Sequence, residues 1–347
     1  MYDVIISGAG AAGCVAAKLL ADAGYSVLVA EKMSLLREKS CNGILIRKSI
    51  AITEHVFGQI PQAVRCNPQI NKGFTLLNEQ RVKSTVEGHG MNVWRNLFNY
   101  WMAVETEDAG ARVLEKTEVI DFRIEEDHVA VSLLGKKTRT EKGRVLLGCD
   151  GVTGAVRKTL RNRPGDSIAT YQTFSPGSVD LDPDYFHAYL QPEYSGHAAW
   201  CCIKDEFVVI TVSGRDPSML PEYYQKFTEY LVKEFDAELG DVQWEEYGLL
   251  PDVAPTNPVD IGEGRIFFAG DAANFLTPVC EGISPAFMSA YAFAEAYKRI
   301  CKPGEDPNPE KLRDEYERNL ASSREHMYQQ WKMLGYASPR FAYLTNV

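Results

Sequence analysis

The opening of the chain constrains the fold more than any other stretch. Residues 2–32, "YDVIISGAGAAGCVAAKLLADAGYSVLVAEK", read as strand, glycine turn, helix, strand. Val4, Ile5 and Ile6 form a short apolar run suited to a strand buried in a parallel sheet. Residues 11–23 are rich in alanine and favour helix, and Gly24 is a natural helix stop. "SVLVAE" then supplies the second strand of a βαβ unit.

The turn carries Gly8, Gly10 and Gly13 in GxGxxG spacing. Gly8 allows the tight turn, Gly10 lets backbone approach a pyrophosphate, and Gly13 lets helix and strand pack closely. The start of the helix, at Ala11 and Ala12, favours phosphate charge. Glu31 ends the second strand, where a carboxylate accepts hydrogen bonds from a ribose, with Lys32 beside it. GxGxxG alone is a weak signal, but here strand, helix, second strand and terminal acid are all in place. They point to a dinucleotide with a free 2′-hydroxyl, FAD or NAD.

Composition excludes several classes. A formal net charge of −10 argues against a nucleic-acid binder. No 18-residue apolar run is present, so no transmembrane segment is expected, and the N-terminus enters a strand pattern without the features of a signal peptide. A cytoplasmic, reducing location is expected for the eight cysteines. They form no CxxC pair, and adjacent Cys201 and Cys202 point to opposite faces of a strand, so no metal site is expected.

Further along, residues 46–63 are loosely helical and 73–86 suggest a hairpin. Residues 92–109 read as a helix with Trp94, Leu97, Trp101 and Val104 on one face. Residues 111–151 read as successive short strands, and strand-like segments from 167 to 253 flank a helix near 221–236. Helices are expected over 284–300 and 309–332, separated by the proline-rich "CKPGEDPNP". The aromatic-rich tail fits a core-covering helix, a dimer surface or a lid. Two stretches, "VLLGCDGVTGAV" and "RIFFAGDAANFLTPVCEGI", place an Asp beside a Gly just after an apolar strand. Strand C-termini face the ligand crevice of an open parallel sheet.

Taken in order, these three motifs resemble the FAD-binding flavoproteins of the para-hydroxybenzoate hydroxylase superfamily, over residues 1 to about 300. The resemblance implies an α/β fold: a Rossmann-like doubly wound FAD-binding domain (1–70, 93–165, 254–302) interleaved with a β-rich substrate domain (71–92, 166–253), and a helical C-terminus (303–347). It implies that Gly8, Gly10, Gly13 and Glu31 hold the ADP half. Arg95 would reach the phosphate or ribityl side, and the backbone of Val119 the adenine. Asp150 and Gly151 match the central motif. Gly270 and Asp271 match the late one, followed by Pro278, with Gly282 and Ile283 beside the isoalloxazine.

Within the superfamily, "SGHAAWCCIKDEF" resembles the strand pair of geranylgeranyl reductases. Gly196 and Trp200 match, His197 replaces a Tyr, and Cys202 with Ile203 replaces Phe-Pro. "KSCNGIL" resembles the loop that this branch lays along the flavin: Cys41 and Gly43 match, with Asn42 in place of a Gly, and Cys280 stands where the branch has another Gly. Cys41, Trp200 and His197 are the catalytic candidates. For Trp200 the alternative is core packing, for His197 a satisfied histidine, and for Cys41 simple clearance at the flavin face. The implied activity is an FAD-dependent reductase saturating a carbon–carbon double bond of an apolar, isoprenoid-like small molecule. The alternatives are an aromatic or quinone-like monooxygenase and an electron-transfer flavoprotein serving a partner. The paired tryptophan motif of flavin-dependent halogenases is missing. No second GxGxxG appears, so the expected reductant is NAD(P)H bound transiently or a ferredoxin-like donor protein, and peripheral membrane contact is compatible with such a substrate.

Overall fold

The computed structural model describes residues 1–252, 258–278 and 280–346. The domain boundary expected at 253/254 falls in 253–257, outside the described residues. Among the described residues seven α-helices follow in chain order: α1 (Ala11–Asp22), α2 (Arg47–Phe57), α3 (Arg95–Asp108), α4 (Ala155–Arg161), α5 (Leu220–Phe235), α6 (Ile283–Ile300) and α7 (Pro309–Ala337).

The first strand, Tyr2–Ser7, lies between Val27–Ala30 and Thr138–Gly148, parallel to both, with Val4 opposite Val27 and Val145. Arg112–Leu114 extends this parallel sheet on one side and Ile266–Phe268 on the other. Its centre is fully buried (Val4, Ile5, Ile6, Val145, Leu146, Leu147), which is why those strands are continuous apolar runs. The chain leaves Tyr2–Ser7 toward one neighbour and returns later on the other. The C-terminal end of this strand is therefore the switch point where an α/β sheet opens a crevice.

The second sheet is mainly antiparallel, built on Ser167–Ser178 paired with Phe207–Gly214 and with Trp244–Pro251. The expected hairpin at 73–86 is longer: Arg65–Leu77 pairs with Lys83–Val93. The chain also enters this sheet before residue 71, because Ile44–Leu45 pairs with the end of Lys83–Val93.

The face of α3 differs from the periodicity reading. Its buried side is Arg95, Phe98, Asn99, Met102, Ala103 and Thr106, while Trp94, Leu97, Trp101 and Val104 are half-buried. The strand Lys83–Val93 holds the chain extended up to the helix start, so the helix turns its small and polar residues toward α1. There the Thr106 hydroxyl donates to the Cys14 carbonyl.

Helix α7 packs on α6 and leads into a final 3-10 segment, Pro339–Asn346. Phe341 and Leu344 of that segment are buried, and Arg340 donates to the carbonyls of Leu190, Ser195 and His197. The tail is a core-covering element.

Candidate active site

A cavity of about 850 Å³ opens at the switch point, within the size range of small-molecule and cofactor sites. One end is the glycine turn. Gly8 has φ +100°, and a Cβ there would stand 2.5 Å from the Cys149 carbonyl oxygen. A Cβ on Gly13 would stand 1.9 Å from the Gly8 carbonyl oxygen, whereas one on Gly10 meets nothing in the chain within 4 Å. Gly8 and Gly13 thus serve the packing of turn and helix, and Gly10 clears the cavity. No side chain caps α1, so its first amides and positive end face the cavity where Ala11 and Ala12 line it.

Glu31 lies at the cavity rim but is engaged by the chain itself. One oxygen accepts from the Ala9 amide (2.9 Å) and the Arg37 guanidinium (2.8 Å), the other from the Met33 amide (2.9 Å). Lys32, Glu118 and Val119 complete this end.

The loop after the second strand runs along the cavity through Arg37, Glu38, Lys39, Ser40 and Cys41. Asn42 and Gly43 turn away from it. Asn42 faces Cys202 and Thr211 (both 3.5 Å), and Gly43, at φ +63°, would place a Cβ 2.1 Å from the Val93 carbonyl oxygen. The small residue at 43 gives clearance for the strand behind the loop. Arg95, the first residue of α3, lies buried over Cys41, donating to its sulfur and to Asn99 Oδ1. Across the cavity sits Asp271. Burial raises its pKa, while Lys39 and Arg95 pull it back down. Lys39 is an exposed residue on this wall, and partial desolvation and the neighbouring Arg95 charge lower the pKa of its amine.

Asp150 accepts from the Ser7 hydroxyl and from the Val156 amide at the start of α4, both at 3.1 Å; its burial raises its pKa. Gly151 (φ +84°) completes that turn, and Gly270 (φ +62°) anchors its amide on the Ser289 hydroxyl. Gly282 and Ile283 open α6 against the cavity, beside Cys280, whose φ of +59° is uncommon for a residue with a side chain.

The far end of the cavity is apolar and tyrosine-rich: Ala169, Leu220, Leu249 and Leu250, with Tyr171 centred 4.9 Å from Tyr247 and 5.2 Å from Tyr224. Besides Gly13, Asn42 and Gly43, three further sequence candidates, Trp200, His197 and Pro278, do not line this cavity. Trp200 is 3% exposed, with no partner for its indole N–H among the described residues. His197 is buried against Phe341 and hydrogen-bonded to the Pro278 carbonyl; burial holds its pKa down to about 4. Pro278 lies with them, behind the Cys280 turn. Conversely, Arg37, Lys39 and the tyrosines were not singled out in the sequence. The "REK" run before Cys41 was the available signal for the cations.

These residues fit FAD. Arg95 Nε and Asp150 Oδ1 are buried polar atoms without partners among the described residues, both on cavity-lining side chains. A group carrying phosphates and hydroxyls supplies what they lack. Arg37, Lys39 and Arg95 give the middle of the cavity the positive charge that a pyrophosphate needs.

A family profile described as "FAD binding domain" matches residues 1–298. The digeranylgeranylglycerophospholipid reductase of Methanosarcina acetivorans is 26% identical over 344 residues, covering 94% of this chain and 82% of that protein. Digeranylgeranylglycerophospholipid reductase 1 of Methanopyrus kandleri is 29% identical over 294 residues, covering 81% and 76%. The crystal structure of a geranylgeranyl bacteriochlorophyll reductase-like protein from Thermoplasma acidophilum superposes with a TM-score of 0.80 at 19% identity, covering 95% of this chain and 85% of that one. The flavin-dependent halogenase CmlS shares the fold, with a TM-score of 0.74 at 19% identity, covering 96% and 64%.

Proposed function

The chain belongs to the FAD-binding domain family and is an FAD-dependent oxidoreductase; from that premise we propose that it saturates carbon–carbon double bonds of an isoprenoid lipid. The observation that carries this reading is the continuity of one cavity, from the glycine turn to an apolar mouth lined by Leu220, Leu249, Leu250 and three tyrosines. The reductases named above act, by their names, on a digeranylgeranyl lipid, which suits such a mouth.

FAD, when bound, supplies the two electrons as hydride. The chain's own residues do the rest. Gly8, Gly10 and the α1 N-terminus receive the pyrophosphate. Glu31, Lys32 and Val119 would border the ADP half; Arg95, Lys39 and Asp271 would border the ribityl region; Cys41, Gly282 and Ile283 would border the ring. Leu220, Leu249 and Leu250 exclude water from the reacting end, and Tyr171, Tyr224 and Tyr247 guide an extended chain into it. Tyr247 and Leu249 are also exposed (69% and 45%), so the mouth can contact a lipid surface. Among the described residues no helix is long and apolar enough to cross a membrane. All eight cysteines are free thiols, consistent with a cytoplasmic enzyme, and its electron donor is NAD(P)H bound transiently or a ferredoxin-like protein.

The test is anaerobic turnover of the FAD-loaded, dithionite-reduced protein on digeranylgeranylglyceryl phospholipid in mixed micelles, read by mass spectrometry. The expected product gains one H₂ per saturated double bond. No mass gain, or oxygen insertion into an aromatic probe in air, would move the protein to the monooxygenase reading.

A further inference from the structure

Two carboxyl groups meet beside the Cys41 loop. Glu246 lies in the strand Trp244–Pro251, opposite Gln172, and is 6% exposed. Its carboxyl accepts the Cys41 backbone N–H and is hydrogen-bonded to the carboxyl of Glu38. Glu38 lines the cavity and is held on its other side by the Asn96 amide at 3.2 Å. Glu246 Oε2 has no donor among the described residues.

Two ionised carboxylates offer four acceptor oxygens and no donor, so this contact requires a proton between them. Burial is the larger influence on Glu246 and the Glu38 charge the next; together they raise its pKa to about 8. The ammonium of Lys204, on the strand Ala199–Lys204, acts in the opposite direction without cancelling them. The other groups facing the pair are neutral (Gln172, Asn96 and the Cys41 amide), while Arg37 and Lys39 flank Glu38 along the loop.

Saturating an alkene by hydride transfer leaves the second carbon in need of a proton, which the cofactor's hydride does not supply. We propose that Glu38 is the general acid that protonates this carbon, and that Glu246 is the positioning residue that stores the shared proton beneath the Cys41 loop. The proposal rests on the reductase reading. In the step the π bond breaks and two C–H bonds form, one from the hydride of the reduced cofactor and one from the pair's proton. The alkene is reduced and the cofactor oxidised. The pair, left fully ionised, regains a proton from solvent, to which Glu38 is exposed.

The first test needs no substrate. Infrared spectra of the FAD-loaded, ¹³C-glutamate-labelled protein, taken in a Glu281→Gln background because Glu281 is also protonated near pH 7, should show a protonated carboxyl at pH 7 that is lost near pH 8 and is missing when Glu246→Gln is added. Its absence at pH 7 while Glu246 is in place overturns the shared proton. The second is a single turnover of the dithionite-reduced protein on digeranylgeranylglyceryl phospholipid in micelles. The wild-type rate should fall as pH rises past about 8. Glu38→Gln, with FAD content and lipid binding retained, should be slower by about a hundredfold or more, and Glu246→Gln should lose the alkaline fall. An infrared band with wild-type rates and pH profile in both variants sinks the acid role alone. A wild type that reduces no lipid sinks the reductase reading together with the acid role, and the infrared result then still reports the pair.

Discussion

At the scale of single residues, glycines of one loop-and-turn system do different work. A Cβ at Gly43 would meet the Val93 backbone at 2.1 Å, in a left-handed conformation (φ +63°). Backbone cannot move aside as a flexible side chain can. Gly43→Ala should therefore lower stability by about 1–3 kcal/mol and, by displacing Cys41, weaken FAD binding as well. Gly10→Ala points its methyl into open cavity at a backbone conformation any residue adopts (φ −87°). Its stability without FAD should stay within about 0.5 kcal/mol of wild type, while FAD affinity falls. Urea unfolding of both apoproteins beside fluorescence titration with FAD separates the two. A Gly43→Ala protein as stable as wild type would contradict the close approach.

At the scale of elements, His197 joins three pieces of chain: the loop before the strand Ala199–Lys204, the turn at Pro278, and the C-terminal segment through Phe341 and Arg340. Its folded pKa, about 4, lies below the unfolded value of about 6.5. The unfolded chain therefore binds the proton more readily. The stability this histidine contributes is complete above pH 6.5 and is lost as pH falls toward 4, by at most about 3 kcal/mol. The depressed pKa of His187 acts in the same direction. The raised carboxyl of Glu281, at about 7, acts oppositely, its contribution fading as pH rises. The difference between wild type and His197→Gln isolates the one group: the variant's unfolding free energy should lose less between pH 6.5 and 4.5. Equal losses would mean that His197 is protonated in the folded protein. This placement also marks what sequence could convey. The βαβ unit was legible because its glycines, helix and acid act within 32 contiguous residues. The late Gly-Asp turn is legible as the continuation of an apolar strand, and Cys41 through the resemblance of its loop to that of the reductase branch. Glu246 was not, because its meaning comes from strand pairing with Gln172 and from a loop two hundred residues earlier. Trp200 and His197 follow from a resemblance of one segment, whereas the sheet register that buries Trp200 and the C-terminal segment that packs on His197 are set by distant parts of the chain.

At the scale of the whole molecule, the cavity belongs to both sheets. Ser7, Cys149 and Ala269 come from the ends of the parallel sheet, while Ala169, Thr170, Gly248 and Leu250 come from the antiparallel one. The loop carrying Cys41 leaves the first sheet after Val27–Ala30 and enters the second at Ile44–Leu45. A cofactor lodged there contacts both, so its binding free energy is shared by both. With free FAD at a hundred times Kd, the folded state gains about 2.7 kcal/mol. Because both sheets border the site, amides in Ser167–Ser178 and Trp244–Pro251 should gain hydrogen-exchange protection together with those in Tyr2–Ser7 and Thr138–Gly148. Protection confined to the parallel sheet would mean that the cofactor is held by the glycine-turn half alone. The substrate end would then be assembled without it, and the continuity on which the reductase reading rests would lose its energetic basis.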